Sequence, residues 1–221
     1  DIGCNSQVKH EINTGNANPI RKIPYRLAHS LKPVVEDQVA EMLRKGIIVE
    51  SASPWNHPIV MVRKKSKDGT PKYRLCVDLR GLNALTKPDA YPLPYIVDTL
   101  DSLGQCKIFT VLDMASGYLQ IDIAEKDREK TAFSTPQGHL DFNKMCFLLM
   151  NAPATYQRCM DNIFMGIRGV HCLCYLYDLI LFSPDIVTHA KKLQNVFDRL
   201  RSANFRIQTE KCQFAIDKVE Y

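Results

Sequence analysis

Two short apolar runs each carry one carboxylate where it is hardest to place, and that pattern restricts the available folds more than any other feature of the chain. KIFTVLDM, residues 107–114, is apolar and β-branched and reads as a strand ending at Asp113. CYLYDLILFS, residues 174–183, has the outline of a short hairpin, with apolar residues running into Tyr177 and Asp178 and away again. A carboxylate held by such strands is costly to desolvate unless a cation or hydrogen-bond donors meet it. Singly, each acid suits a turn or a cap. Together they suggest a magnesium site on adjacent strands of one sheet.

The surrounding pattern mixes helices with antiparallel hairpins, which argues for an α+β fold. In KPVVEDQVAEMLRKG, Val35, Val39, Met42 and Leu43 fall at helical spacing between Pro33 and Gly46. PIVMVRKK and KYRLCVDLR read as strands joined by SKDGTP, and KTAFSTPQGHLDF as a second hairpin turning at residues 136–138. Pro88, Pro92 and Pro94 interrupt the chain before a short helix over 96–103. PATYQRCMDNIF is helical by its Tyr156, Met160, Ile163 and Phe164 spacing. After a capping Asp185, residues Val187, Ala190, Leu193, Val196, Phe197 and Leu200 mark the longest amphipathic helix, ending near Arg201. FRIQTEKCQFAIDKVEY closes in short strands, and the chain is expected to be an excerpt of something longer.

Charge narrows the function classes. The net charge is +5, and residues 61–80 hold seven Lys or Arg against two Asp, so one segment carries the whole excess. A surplus this concentrated fits a surface that faces a polyanion, although a solvated basic loop has the same composition. The eight cysteines are scattered, mostly in apolar runs, and read as buried free thiols. His171, Cys172 and Cys174 are a tight cluster, but strand alternation sends neighbours to opposite faces, away from a common zinc. With no apolar segment long enough to span a bilayer and no secretory leader, a soluble intracellular protein is expected, cytoplasmic or nuclear, with no membrane partner.

A set of motifs then gives a resemblance. PYRLA, GIIVESASPWNHPIVMVRKK, YRLCVDLRGLN, YPLP, FTVLDMASGYLQI, KTAFSTPQGH, NAPATYQR, YLYDLILFS and KCQF occur in an order and at spacings that resemble the reverse transcriptase domain of gypsy-type LTR retrotransposons and, more distantly, of retroviruses. The resemblance implies a right-hand polymerase with fingers and palm subdomains and an antiparallel palm sheet backed by helices. It divides the chain into a lead-in (1–30), fingers (31–92), palm (93–135), a return segment between them (136–158) and palm again (159–221), without thumb, connection or RNase H. The implied activity is RNA-directed DNA polymerisation with Mg²⁺ or Mn²⁺. The implied partners are an RNA or DNA template with its primer, deoxynucleoside triphosphates and the remainder of a Pol polyprotein.

Carried over motif by motif, Asp113 and Asp178 are the catalytic, metal-holding palm aspartates. Lys65, Lys67, Arg74, Tyr118 and Phe147 match nucleotide contacts, with Tyr118 under the sugar. Arg80, Asn151, Pro153 and Gln157 match contacts to template and primer. The chain departs from the family in two motifs. Tyr177 stands where the family's Y-x-D-D hairpin has its first acid, and a neutral phenol is a poor ligand for a hard cation. Cys146 and Leu148 stand where the family usually has proline and glycine, so a bulky side chain replaces a residue that permits unusual backbone angles or a close approach of the nucleotide. Three readings follow: a working polymerase, a decayed or domesticated domain that still binds nucleic acid, and an interaction scaffold that keeps only the fold. The two departures favour impaired catalysis.

Overall fold

The computed structural model describes residues 3–64, 71–92, 106–175 and 178–219. The strands in chain order are β1 (Asn5–His10), β2 (Ile48–Glu50), β3 (Ile59–Lys64), β4 (Lys72–Val77), β5 (Ile108–Asp113), β6 (Ile121–Ile123), β7 (Phe133–Thr135), β8 (Gly138–Phe142), β9 (Cys172–Tyr175), β10 (Asp178–Ser183) and β11 (Gln213–Ile216). The helices are α1 (Lys32–Arg44), α2 (Arg80–Leu85), α3 (Glu125–Arg128), α4 (Ala152–Ile163) and α5 (Ile186–Ser202). The expected helix over 96–103 and the tip of the basic hairpin lie outside the described residues.

The chain forms two compact units, one from Asp1–Lys9, Asp89–Ile121 and Pro153–Tyr221, the other from His10–Pro88 and Asp122–Ala152. These boundaries differ from those expected. Residues 122–135 were assigned with the carboxylate-bearing sheet but fold with the other unit, while residues 1–9 join the sheet's unit. Strand patterning shows where a strand is, not which sheet takes it.

In the first unit four antiparallel strands run in the order β11-β5-β10-β9. Phe109, Thr110 and Leu112 of β5 and Leu179 to Ser183 of β10 are buried, which is why both strands read as continuous apolar runs. Helix α5 packs on β10 and β5. Its start is set by Asp185, whose carboxylate accepts from the Thr188 N–H at 2.8 Å and from its hydroxyl at 2.7 Å. The buried face of α5 is His189, Val196 and Leu200, a correction to the expected stripe, since Val187 and Ala190 are exposed. A polar residue sits in the stripe because it has partners: His189 Nε2 lies 2.7 Å from Thr110 Oγ1, and Nδ1 lies 3.2 Å from Ser183 Oγ.

The second unit holds a three-stranded sheet in the order β2-β8-β7 and the separate β3-β4 hairpin. Helix α1 ends as its sequence requires. Gly46 takes a φ of 65°, its N–H bonds to the Leu43 carbonyl, and the Ile47 N–H reaches back to Met42. Val35 and Val39 are buried, but Leu43 is exposed and Met42 only partly covered, so the apolar stripe of α1 is narrower than its spacing suggested.

Candidate active site

The two acids singled out in the sequence face each other. Asp113 ends β5 and Asp178 begins β10, and the two are paired residues in the antiparallel register, with Leu112 opposite Leu179 and Val111 opposite Ile180 behind them. Paired residues of antiparallel strands point to the same face with Cα atoms about 4.5–5.5 Å apart, so the carboxylates share one patch at the sheet's rim. Burial, and next the charge of Asp113, push the Asp178 carboxyl above its usual range, while Lys211 acts against this. Lys211 Nζ lies 3.9 Å from Asp113 Oδ2. Asp178 and Lys211 also line a cavity of about 510 Å³ together with Gln213 of β11.

Two like charges forced together are stabilised by a cation, and their hard oxygen donors suit Mg²⁺ or Mn²⁺ rather than a softer metal. The fit is incomplete: among the described residues, no group of three or more His, Cys, Asp and Glu converges on one point. Tyr177, beside Asp178, lies outside the described residues. His171, Cys172 and Cys174 form no such group either, and burial pushes the Cys172 thiol up to about 12 and that of Cys174 higher still.

The turn after Asp113 is held closely. Ser116 takes a φ of 49°, and a Cβ on Gly117 would lie 2.8 Å from the Tyr156 ring, so glycine is what allows this approach. Tyr118 is buried with its ring centroid 5.2 Å from that of Tyr156, on the core side of the turn. Gln120, also buried, donates to the carbonyls of Ala115 and Arg206 and accepts from the Arg206 N–H at 2.7 Å. Gln157 is fully buried on α4, its Nε2 donating to Asp161 Oδ1 at 2.9 Å, and is not presented at a surface as a strand-gripping residue would be. Pro153 lies in the first turn of α4, half-buried.

In the second unit, two expected nucleotide contacts meet. The Arg74 guanidinium lies 5.5 Å from the centre of the exposed Phe147 ring. Arg80 is held by Asp78, with Nε to Oδ1 at 2.8 Å and a terminal nitrogen to Oδ2 at 2.7 Å, and the Tyr25 hydroxyl donates to the same carboxylate. The Arg80 guanidinium accordingly holds the Asp78 carboxyl far below the usual range. Asn151 Nδ2 donates to the Lys87 carbonyl at 2.7 Å. Lys65 and Lys67 lie outside the described residues. Leu148 does not take a left-handed backbone, which among described non-glycine residues is confined to Ser116, Asn204 and Ala215. Its side chain is exposed and its carbonyl accepts from Asn83, so of the two uses of the family's glycine, unusual backbone angles are not called on at Leu148. Cys146 is buried, its thiol pushed up to about 12 by desolvation.

Sequence reasoning did not single out Lys211, Gln120 or Asn83. Lys211 belongs to the KCQF motif, but nothing in its spacing shows that a single turn of 3-10 helix at Thr209–Lys211 brings it beside Asp113.

Comparison with known proteins agrees with this architecture. The family described as reverse transcriptase (RNA-dependent DNA polymerase) matches residues 62–221. The Drosophila melanogaster retrovirus-related Pol polyprotein from transposon 297 is 46% identical over 208 residues, covering 94% of this chain and 20% of that protein. The one from transposon gypsy is 39% identical over 219 residues, covering 98% and 21%. The chain thus spans about a fifth of the length of these relatives. Foamy viral protease-reverse transcriptase superposes with a TM-score of 0.88 in a complex with double-stranded DNA (21% identity, 100% of this chain and 38% of that one) and 0.85 in a complex with an RNA/DNA hybrid (21%, 97% and 28%). The two units are therefore polymerase fingers and palm, and the chain belongs to the reverse transcriptase family, of the type carried in the Pol polyproteins of gypsy-like retrotransposons.

Proposed function

We propose that this chain is the fingers and palm of an RNA-directed DNA polymerase whose catalytic centre is weakened by Tyr177. The observation that carries the reading is the direct pairing of Asp113 with Asp178 across β5 and β10. These two carboxylates would hold Mg²⁺, which when bound supplies Lewis-acid stabilisation of the negative charge that develops during nucleotidyl transfer. The sheet holds both acids in one patch, where burial first and then the charge of Asp113 raise the Asp178 carboxyl. Residue 177 is where the family has a further acid, and a neutral phenol there removes one negative charge from the site.

Deoxynucleoside triphosphates and a primed RNA or DNA template are the proposed ligands, with Arg74 and Phe147 as a joint contact for the nucleotide. Support for a polyanionic ligand comes from the β3-β4 hairpin. Lys64 stands directly opposite Lys72, and Arg63 and Arg74 are exposed on the same two strands. An anionic strand laid over the hairpin would meet several of these positive charges at once. The same hairpin supports the second reading, a domain that binds nucleic acid without copying it.

Primer extension in Mg²⁺ separates the two. The chain as it stands is expected to extend barely above background, Tyr177→Asp to recover part of the activity, and a further Leu148→Gly to raise it. Robust extension by the unaltered chain that survives Asp113→Asn would overturn the site assignment.

A further inference from the structure

A fully buried amide, that of Gln120, stands behind the turn that follows Asp113. Beyond β5 the chain turns, and Ser116 takes a left-handed φ of 49°, a conformation that a residue with a Cβ keeps only where its surroundings enforce it. Gln120 supplies part of that enforcement. Its Nε2 donates to the Ala115 carbonyl at 2.8 Å, on the peptide leading into Ser116, and to the Arg206 carbonyl at 2.9 Å. Its Oε1 accepts from the Arg206 N–H at 2.7 Å. Main-chain bonds run beside this link: the Ala115 N–H donates to the Arg206 carbonyl at 3.1 Å, Met114 and Ile207 form an antiparallel bridge, and the Gln208 N–H donates to the Asp113 carbonyl at 2.8 Å. The 3-10 turn that carries Lys211 begins directly after Gln208. With both N–H groups given to main-chain carbonyls, Gln120 has none to offer a ligand. What it governs is where the Asp113 turn and the Lys211 turn stand relative to each other.

The amide is itself held from behind. Gly3 lies so close that a Cβ there would overlap Gln120 Oε1 and lie 2.5 Å from the Asn204 carbonyl oxygen. The residues after it fasten Gly3 in place. Asn204 Nδ2 donates to the Cys4 carbonyl at 3.2 Å, and the fully buried Asn5 donates through Nδ2 to the Ala203 carbonyl at 3.2 Å. Asn5 Oδ1 accepts in turn from the N–H groups of Gln7 and Val8. Residues 3–5 therefore lie over Gln120 as a strap, and the turn at 203–206 anchors both.

We propose that Gln120 is a positioning residue for the carboxylate of Asp113, and that residues 3–5 are the strap that keeps its amide in place. The proposal rests on the reading of Asp113 and Asp178 as metal-holding acids. Oxygen ligands of a small hard cation tolerate little displacement, so a turn that drifts by a fraction of an ångström loses affinity even while the sheet beneath it stays folded.

The test uses the 221-residue chain carrying Tyr177→Asp, with Mn²⁺ as the probe, its binding read by electron paramagnetic resonance without any turnover. Gln120→Leu, of similar volume but with no polar group, is expected to weaken Mn²⁺ binding by about tenfold. In primer extension it should lower kcat by a similar factor and leave the nucleotide KM within about twofold. Hydrogen exchange followed by mass spectrometry should speed up at residues 113–116 and 206–211. Val196→Ala, at a fully buried packing position on α5, is the control for lost stability alone and should change neither Mn²⁺ affinity nor exchange in those two segments. Gly3→Ala leaves every atom of Gln120 in the chain and should reproduce the Gln120→Leu pattern in smaller measure; it carries the test if Gln120→Leu does not fold. Exchange and Mn²⁺ affinity altered no more by Gln120→Leu than by Val196→Ala would reduce Gln120 to a partner for main-chain groups and overturn the proposal. An inert Gly3→Ala would overturn the strap. Mn²⁺ binding unaffected by Asp113→Asn would instead overturn the reading of the acids as metal holders, a failure seen with Gln120 unaltered.

Discussion

Strands β3 and β10 are each six residues long with a run of four apolar residues, yet they are built for opposite purposes. In β10 every residue after Asp178 is buried, while in β3 only Ile59 is. Strand β10 lies between β5 and β9 and under α5. Strand β3 pairs with β4 alone and turns Val60, Val62 and Lys64 outward. A buried strand fixes its terminal carboxylate to a position, as metal chemistry requires, because its neighbours leave it one register. An exposed hairpin presents charge over an area, which suits a ligand recognised by its backbone phosphates rather than at one point.

The sharpest test of the contrast is catalytic. On the Tyr177→Asp background, Asp113→Asn is expected to lower extension by about a hundredfold or more, and to leave the melting temperature nearly unchanged because Asp113 is partly exposed. A large loss of stability instead would mean that the acid serves the fold. Next in size is packing. Leu179→Ala, at a residue with 0% exposure in β10, should cost about 2–5 kcal/mol by urea unfolding. Val62→Ala, at 47% exposure in β3, should change stability by less than about 0.5 kcal/mol. Equal costs would dissolve the distinction between the strands.

On the exposed side, replacing Lys64, Lys72 or Arg74 by Ala should flatten the salt dependence of primer-template binding by about one unit of log–log slope each. The loss should be similar for unrelated sequences. Strong dependence on base sequence would contradict phosphate-led binding.

The smallest effect concerns pH. Burial lowers the folded-state pKa of both His189, in the palm, and His57, in the fingers. The unfolded chain then binds protons more readily than the folded one. Their contribution to stability is complete above about pH 6.5 and is lost as pH falls through that value toward the lower folded one. Asp178 has the opposite sign. Its raised carboxyl takes a proton first in the folded state, so acidification relieves part of the palm's strain. Thermal melts from about pH 7.5 down to about pH 3.5, spanning the ordinary imidazole and carboxyl ranges, should show Asp178→Asn removing the relief and His189→Gln removing part of the loss.

Where residues act through their immediate chain neighbours, the sequence was legible. The strand ending at Asp113, the turn between Thr135 and Gly138, the cap at Asp185 and the glycine after α1 each depend on a few adjacent side chains, and each lies where its pattern placed it. What was not legible depends on distant partners. His189 reads as an interruption of an apolar stripe until Thr110 and Ser183 are seen beside it. Gln157 sits in a motif that suggests contact with a strand, yet it is buried and its Nε2 donates inside the fold to Asp161. Whether position 148 needs a left-handed backbone could not be read from its neighbours, and Leu148 does not take one.

The cysteines add a consequence for measurement. Cys146 is buried in the fingers, and Cys159, Cys172 and Cys174 are buried in the palm, while Cys4, Cys76, Cys106 and Cys212 are partly accessible. Desolvation holds the buried thiols in the protonated form, and it is the thiolate that reacts with alkylating reagents. Pulsed alkylation followed by peptide mass spectrometry would therefore time the opening of each unit separately, with Cys146 reporting one and Cys159 the other, and no label would have to be engineered into the chain.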